Sequence, residues 1–255
     1  MVTDMFDLSG RVAVVTGGSR GIGRAIALGL ADAGATVVPT ARSADDVQET
    51  VDRIEDAGGE GLAETVDVAD VESVESLFDR VGEELGGADV VVNNAGINPG
   101  NALGTPDRVD PEGFDTVMDV NLRGAFLCAR AATEHLQKDG GSVVNVASVG
   151  GLVGLPRQHP YVASKHGLVG ITKSLALDWA PDVRVNCLAP GYVATDLTED
   201  LTSDDDLRAA ILRQTPLDRF ADPEEIAGPA VFLASDAASY VTGSVLTADG
   251  GWTAR

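Results

Sequence analysis

Three residues near the middle of the chain carry side chains suited to moving a proton. Tyr161 and Lys165, in Tyr161-Val-Ala-Ser-Lys165, stand four residues apart, the spacing that puts two side chains on one helical face. A tyrosine in water holds its proton to about pH 10. A cation one turn away favours the phenolate and brings that proton within reach of transfer nearer neutrality. Ser148 precedes Tyr161 by twelve intervening residues and follows an apolar run, so a strand end can deliver its hydroxyl to hold a carbonyl or alcohol oxygen against the phenol. On an arbitrary helix the Tyr-x-x-x-Lys spacing describes only a solvated, amphipathic face. Its companions give it meaning here.

Near the N-terminus, Arg11-Val-Ala-Val-Val-Thr16 reads as a buried strand that runs directly into Gly17-Gly-Ser19-Arg20-Gly21-Ile22-Gly23. An apolar-periodic segment ending at Gly34 follows. Strand, glycine turn and helix in that order suit a pyrophosphate. Glycines let the backbone turn sharply and approach the anion, and the helix N-terminus offers free N–H groups. The spacing is G-x-x-x-G-x-G rather than the general G-x-G-x-x-G dinucleotide pattern.

Together these segments resemble the short-chain dehydrogenase/reductase family, and the resemblance runs over essentially the whole chain. Thr16-Gly17-x-x-x-Gly21-x-Gly23 is similar to its cofactor turn, which also brings in Ser19, Arg20 and Ile22. Asp67-Val68 matches the pair that contacts the adenine, and Asn93-Asn94-Ala95-Gly96 the N-N-A-G segment. Pro190-Gly191-Tyr-Val193-Ala-Thr195 matches the segment beside the nicotinamide. Asn121, Ser148, Tyr161 and Lys165 match the four catalytic positions without departure. The resemblance implies that Tyr161 exchanges a proton with the substrate oxygen while C4 of the nicotinamide exchanges hydride with the carbon. Ser148, which with Tyr161 forms the substrate contact, polarises the oxygen. Lys165 lowers the pKa of Tyr161 and binds the nicotinamide ribose, and Asn121 holds a water linking Lys165 to solvent.

Apolar runs near 11–16, 35–39, 61–65, 88–92, 141–147, 183–188 and 244–247 alternate with helical patterns near 21–33, 45–57, 71–85, 112–138, 160–179 and 223–234. This alternation predicts an α/β fold, a Rossmann-type doubly wound parallel sheet of seven strands flanked by helices. One domain is expected to span 1–255, and the family implies the strand order 3-2-1-4-5-6-7. Gly17, Asn94, Ser148 and Pro190 each follow a predicted strand, so they converge on the crevice at the carboxyl ends. The polar stretch 194–215, with a short helical pattern from Asp205 to Arg213, is expected to be a substrate lid.

NAD-specific sites end the second strand with a carboxylate for the ribose 2′-hydroxyl. Here that position is Ala41, followed by Arg42. Arg42 and Arg20 can both pair with a 2′-phosphate, so NADP(H) is expected over NAD(H). His166, next to Lys165, faces away from the catalytic side; His159 is placed at the substrate entrance and His135 on a helix surface. None has metal-ligand company, and no metal is expected.

Composition narrows the partners. The chain has 255 residues, 40 acidic and 18 basic, and a formal charge of −22; only Lys138, Lys165 and Lys173 are lysines. Without a basic patch, nucleic acid is excluded as a partner. The acids are dispersed rather than gathered in one tail, which suits a halophile, because molar salt screens self-repulsion. No stretch reaches ~18 uninterrupted apolar residues, and the acidic start lacks the basic flank of a signal peptide. The expectation is a cytoplasmic protein without membrane contact, with Cys128 and Cys187 as reduced core residues. The resemblance further implies a homotetramer packed through the C-terminal run and the helices near 112–138 and 160–179. Segments such as Val-Asn-Leu-Arg-Gly and Asp249-Gly250-Gly251 lie nearest the 3-oxoacyl-thioester reductase branch, so the resemblance implies reduction of a 3-oxoacyl thioester, on an acyl carrier or coenzyme A. Sugar, polyol and other secondary-alcohol dehydrogenases of the family share them. An acidic surface does not help to hold an acyl carrier, itself acidic. A non-catalytic, dinucleotide-binding regulator is the reading from another class, and the intact set of four argues against it.

Overall fold

The computed structural model describes residues 1–254, apart from the side chains of Asp139, Asp200 and Thr202. Its strands are β1 (Val12–Thr16), β2 (Thr36–Ala41), β3 (Glu60–Gly61), β4 (Glu64–Thr65), β5 (Val90–Asn93), β6 (Gly141–Val146), β7 (Val183–Pro190) and β8 (Val245–Ala248). All pairings are parallel, in the order β3-β2-β1-β5-β6-β7-β8, with β4 also beside β2. Seven strand positions therefore lie in the order the resemblance implies. The strand expected at 61–65 is two short pieces. Glu60 and Gly61 pair with Thr36 and Val37, Glu64 and Thr65 with Thr40 and Ala41. An edge position buried on one side only can leave the ladder at Leu62-Ala63 without stranding its amides in the core.

Alternation along β1 divides the core. Ala13 and Val15 face a cluster with Ile26 and Leu30 of α1 (Gly21–Asp32) and with Ile54 of α2 (Ala44–Asp56). Val14 faces the opposite cluster, which includes Val74, Leu77 and Phe78 of α3 (Val71–Leu85). Both faces of the central strands are covered, so these strands read as unbroken apolar runs. Helix starts follow from local chemistry. Ser43 accepts a hydrogen bond from the Asp46 N–H, Asp70 from Ser73, and Asp110 from Glu112 just ahead of Pro111. At the far end of α3, Gly86 takes the left-handed conformation (φ 82°) that closes a helix.

The helix expected over 112–138 is interrupted. It runs as α4 (Pro111–Met118), a π turn at Asp119–Arg123, α5 (Gly124–Ala131) and α6 (Thr133–Asp139). Wide turns of this kind concentrate at functional positions, and Asn121 lies in this one. Helix α7 (His159–Trp179), which carries Tyr161 and Lys165, is continuous. The expected lid holds a 3₁₀ turn at Asp196–Thr198, then α8 (Glu199–Ser203) and α9 (Asp205–Leu212), before α10 (Glu224–Ala234) covers the Val15 side of the sheet beside α1. Among the described residues no helix is long and apolar enough to cross a membrane.

Candidate active site

The carboxyl ends of β1, β5, β6 and β7 open onto one crevice. In the glycine turn, Gly17 and Gly21 have φ of 65° and 52°, open only to residues that tolerate left-handed backbone. A Cβ on Gly23 would stand 2.1 Å from the Gly17 carbonyl oxygen and 2.4 Å from Asn94 Nδ2. The first turn of α1 has no side-chain cap, which leaves its amides to an external anion. Ser19 is buried beside this turn, and Ile22 packs into the core below it. These residues fit a dinucleotide pyrophosphate: the turn packs its glycines tightly against neighbouring backbone, and the first turn of α1 has no side-chain cap to occupy its amides.

Asn94 serves this turn as a staple. Its Nδ2 donates to the carbonyls of Thr16 (3.0 Å) and Gly17 (3.2 Å), while its own amide and that of Ala95 donate to Thr16 Oγ1, each at 3.1 Å. Asp67 is exposed, its carboxylate bonded only to the Ala69 N–H at 3.0 Å, and Val68 is buried beneath it. On the other side, Gly191 packs against Asp249 just after Pro190 ends β7, and Val193 is buried. Thr195 forms a capping box with Thr198, and its methyl group would lie 3.3 Å from a Cβ on Gly21. The two expected 2′-phosphate ligands differ. Arg42 is exposed and has no partner among the described residues, whereas Arg20 is paired with Asp196 at 3.4 Å.

The four residues expected to be catalytic, Asn121, Ser148, Tyr161 and Lys165, come together near the end of β6. The Lys165 ammonium is buried and donates to the Val146 carbonyl at 2.8 Å. It sits 5.7 Å from the Tyr161 ring centroid and would lie 3.4 Å from a Cβ on Gly96. Ser148 is buried and accepts from the Gly150 N–H at 3.0 Å. The side chain of Asn121 is fully engaged. Its Oδ1 accepts from the Ile97 N–H (2.8 Å), and its Nδ2 donates to the Ile97 carbonyl (2.9 Å) and to Ser164 Oγ (3.3 Å). It thus clamps the loop after β5 to α7.

Burial pushes the Tyr161 phenol up, although part of its ring remains exposed; a hydrogen bond with Ser148 works in the opposite direction. The Lys165 ammonium is itself desolvated and donates to the Val146 carbonyl. That burial lowers Lys165 from 10.5 to about 8. A lysine whose folded value is depressed costs stability while it is charged. That cost is present below about pH 8 and is relieved as pH rises towards 10.5. The chain has three lysines, so ¹⁵N spectra with Lys165→Arg for assignment resolve this one. A midpoint near 8 is expected in the cofactor-free protein, and a midpoint near 10.5 would contradict the buried geometry.

The comparisons agree with this geometry. Residues 17–253 match the family model described as enoyl-(acyl carrier protein) reductase. The chain is 39% identical over 259 residues to 2-dehydro-3-deoxy-D-gluconate 5-dehydrogenase of Escherichia coli K12, covering 100% of both. It is 42% identical over 242 residues to 3-oxoacyl-(acyl-carrier-protein) reductase FabG of Staphylococcus aureus Mu50, covering 94% of this chain and 96% of that one. The crystal structure of gluconate 5-dehydrogenase from Burkholderia cenocepacia, in complex with NADP and tartrate, superposes with a TM-score of 0.96 at 35% identity over 100% of both chains. This chain is a short-chain dehydrogenase/reductase. It is accordingly an NAD(P)-dependent oxidoreductase.

Several residues of this short-chain dehydrogenase/reductase escape a reading of its motifs. Asn93 Nδ2 donates to Asn145 Oδ1 (2.9 Å) and Asn145 Nδ2 to Thr172 Oγ1 (2.9 Å), a buried chain tying β5 and β6 to α7. Asn98 Nδ2 donates to Gln158 Oε1 at 3.0 Å. Tyr192 packs edge-on against Phe220 and Trp252. Of the histidines, His166 is exposed and bonded through Nδ1 to the Val162 carbonyl. His159 lines a cavity of about 380 Å³ with Pro106, Val109, Pro111, Phe114 and Asp115. His135 does not lie free on a helix surface: it is half-buried edge-on against Phe78, at 6.1 Å and 85°. Cys128 and Cys187 are both free and buried, and burial raises their thiols to about 12 and about 11.

Proposed function

We propose that this dehydrogenase uses NADP(H) to interconvert a ketone and a secondary alcohol in a polyhydroxylated acid of the sugar-acid class. The observation that carries the chemistry is the convergence of Ser148, Tyr161 and Lys165 at the end of β6, across from the glycine turn. The bound nicotinamide supplies or accepts hydride at C4. Ser148 orients and polarises the substrate oxygen, and Tyr161, kept protonated by burial, gives it a proton in reduction. Lys165 and Asn121 hold the tyrosine's surroundings in place.

Two lines support a sugar acid. Relatives named for 2-dehydro-3-deoxy-D-gluconate and gluconate match the chain from end to end, and a surface with −22 formal charge repels an acidic acyl carrier. The second reading is a 3-oxoacyl thioester, as named for the staphylococcal relative. Exposed Leu197 and Leu207 in the lid, and Leu217 after it, favour that reading because they offer an acyl chain an apolar path. NADPH oxidation over keto sugar acids, coenzyme A 3-oxoacyl thioesters and cyclic ketones in molar KCl separates the two. Fastest turnover is expected with the keto acids; silence across the panel would overturn the enzyme reading.

The preference for NADP rests on Arg42, free of protein partners and preceded by Ala41 in place of an acid. Arg42→Asp replaces attraction for the 2′-phosphate with repulsion. Its kcat/KM ratio is expected to swing from NADP towards NAD by about 100-fold or more, the scale of a charged hydrogen bond lost and a repulsion gained. A wild-type protein that already prefers NAD would contradict this assignment.

The same reading takes 1–255 as one domain of a cytoplasmic homotetramer adapted to high salt. Exposed Phe126 on α5 and Leu177 on α7 support packing through those helices. Light scattering in 2 M KCl is expected to give four times the mass of one chain, with dissociation or unfolding at 0.1 M. A single-chain mass in 2 M KCl would remove the assembly, and equal thermal midpoints at the two salts would remove the halophile reading.

A further inference from the structure

Tyr192 is a tyrosine where a phenylalanine would fill the same space. Its ring is held edge-on by Phe220 at 5.9 Å and by Trp252 at 5.8 Å, and its carbonyl accepts from the Ala221 N–H at 2.9 Å. Ring and backbone are therefore both anchored, yet the hydroxyl has no hydrogen-bond partner among the described residues. The residue follows Pro190-Gly191 at the end of β7, on the crevice. It lies near enough to Tyr161 that its ionisation would oppose that of the catalytic phenol.

A second unpaired polar group lies between the segments that carry Gly96 and Tyr161. Asn98 lies two residues beyond Gly96, which borders the Lys165 ammonium, and Gln158 lies three residues before Tyr161. The bond from Asn98 Nδ2 to Gln158 Oε1 joins those two segments at 3.0 Å, while Asn98 Oδ1 is buried with no donor. A buried acceptor left without a donor is costly, and exchange of the two amide atoms would leave a donor orphaned instead. Neither amide is needed to hold the loop after β5, which Asn121 already clamps through Ile97.

We propose that Tyr192 and the Asn98–Gln158 pair form a specificity subsite that hydrogen-bonds an oxygen on the carbon next to the reacting carbonyl. The subsite selects α-hydroxy ketones and their diols over simple ketones. This inference rests on the sugar-acid reading and narrows it to a residue-level cause. Sites built to hydrogen-bond a hydroxyl reject the analogue that lacks it, because their own groups are then left unpaired.

The test compares acetoin with butanone as NADPH-dependent substrates of wild type, Tyr192→Phe and Gln158→Leu. The wild type is expected to favour acetoin in kcat/KM by about tenfold or more, as for one or two hydrogen bonds. Both variants should bring that ratio towards one, chiefly through a higher KM for acetoin. Calorimetric titration of D-gluconate into NADPH-saturated protein, where neither partner can oxidise or reduce the other, gives a readout independent of turnover. Tyr192→Phe should weaken gluconate about tenfold, and by more than it weakens NADP. Consumption of both ketones with the wild-type ratio retained in both variants would leave the function standing and overturn the subsite. If neither ketone is consumed, calorimetry decides the subsite, and turnover of keto sugar acids decides the sugar-acid reading. Unchanged gluconate affinity in Tyr192→Phe, or no gluconate binding by the wild type, would then overturn it.

Discussion

Tyr161→Phe is expected to lower turnover by at least about 100-fold, the scale of a positioned acid or base, while NADP still binds. The substitution removes one oxygen and leaves the ring that packs beside Gly150 and Lys165. Protein stability should therefore hold, which separates lost chemistry from lost fold. The buried surroundings raise this phenol, so it remains a proton donor through the neutral range, as reduction requires. Ser148 cannot replace it. A serine hydroxyl bonded to the Gly150 amide can polarise an oxygen but is a far weaker acid. Steady-state rates and an NADPH fluorescence titration on the same preparation check both halves. Near-normal turnover by the variant would remove Tyr161 from the chemistry.

Gly23→Ala carries the second large effect. Alanine in the first turn of a helix is intrinsically favoured over glycine by up to about 1 kcal/mol, so an unobstructed site would gain. Here the added Cβ would stand 2.1 Å from the Gly17 carbonyl oxygen, a backbone atom that cannot swing aside. Either the turn opens or α1 moves, and overpacking of this kind costs about 1–3 kcal/mol. A fall in thermal midpoint of about 3–10 °C is expected together with loss of measurable NADPH binding, because the displaced amides are those offered to the pyrophosphate. Gly170→Ala is the matched control, since its Cβ would meet nothing within 4 Å on α7. A stable, cofactor-binding Gly23→Ala protein would show that the turn has slack the geometry denies.

The parts of the fold legible beforehand are those whose cause is local. β1, β5 and β6 are covered on both faces and read as apolar runs. The π turn at Asp119–Arg123 was invisible because apolar periodicity continues on either side of it, and the extra residue in the turn leaves no mark in composition. Asn121 could be named only through the family resemblance, and its clamp on Ile97 and Ser164 depends on contacts 24 and 43 residues away. His135 was misplaced for a similar reason, since Phe78, which covers it, is remote in sequence. The match to the N-N-A-G segment names Asn94, but the hold of its carboxamide on the glycine turn depends on the Thr16 and Gly17 carbonyls, 78 and 77 residues away. Tyr192 and Gln158 carry no pattern at all. Their interest comes from what surrounds them.

The central claim is direct hydride exchange between nicotinamide C4 and a substrate carbon, with Tyr161 supplying the proton. It is tested most directly with NADPH deuterated at C4, presented with an accepted keto acid in molar KCl. The account predicts deuterium on the new carbinol carbon of the alcohol product in the wild type, and none formed at a comparable rate by Tyr161→Phe. An alcohol whose new C–H hydrogen came from solvent, or a substrate turned over without NADPH consumption, would contradict it.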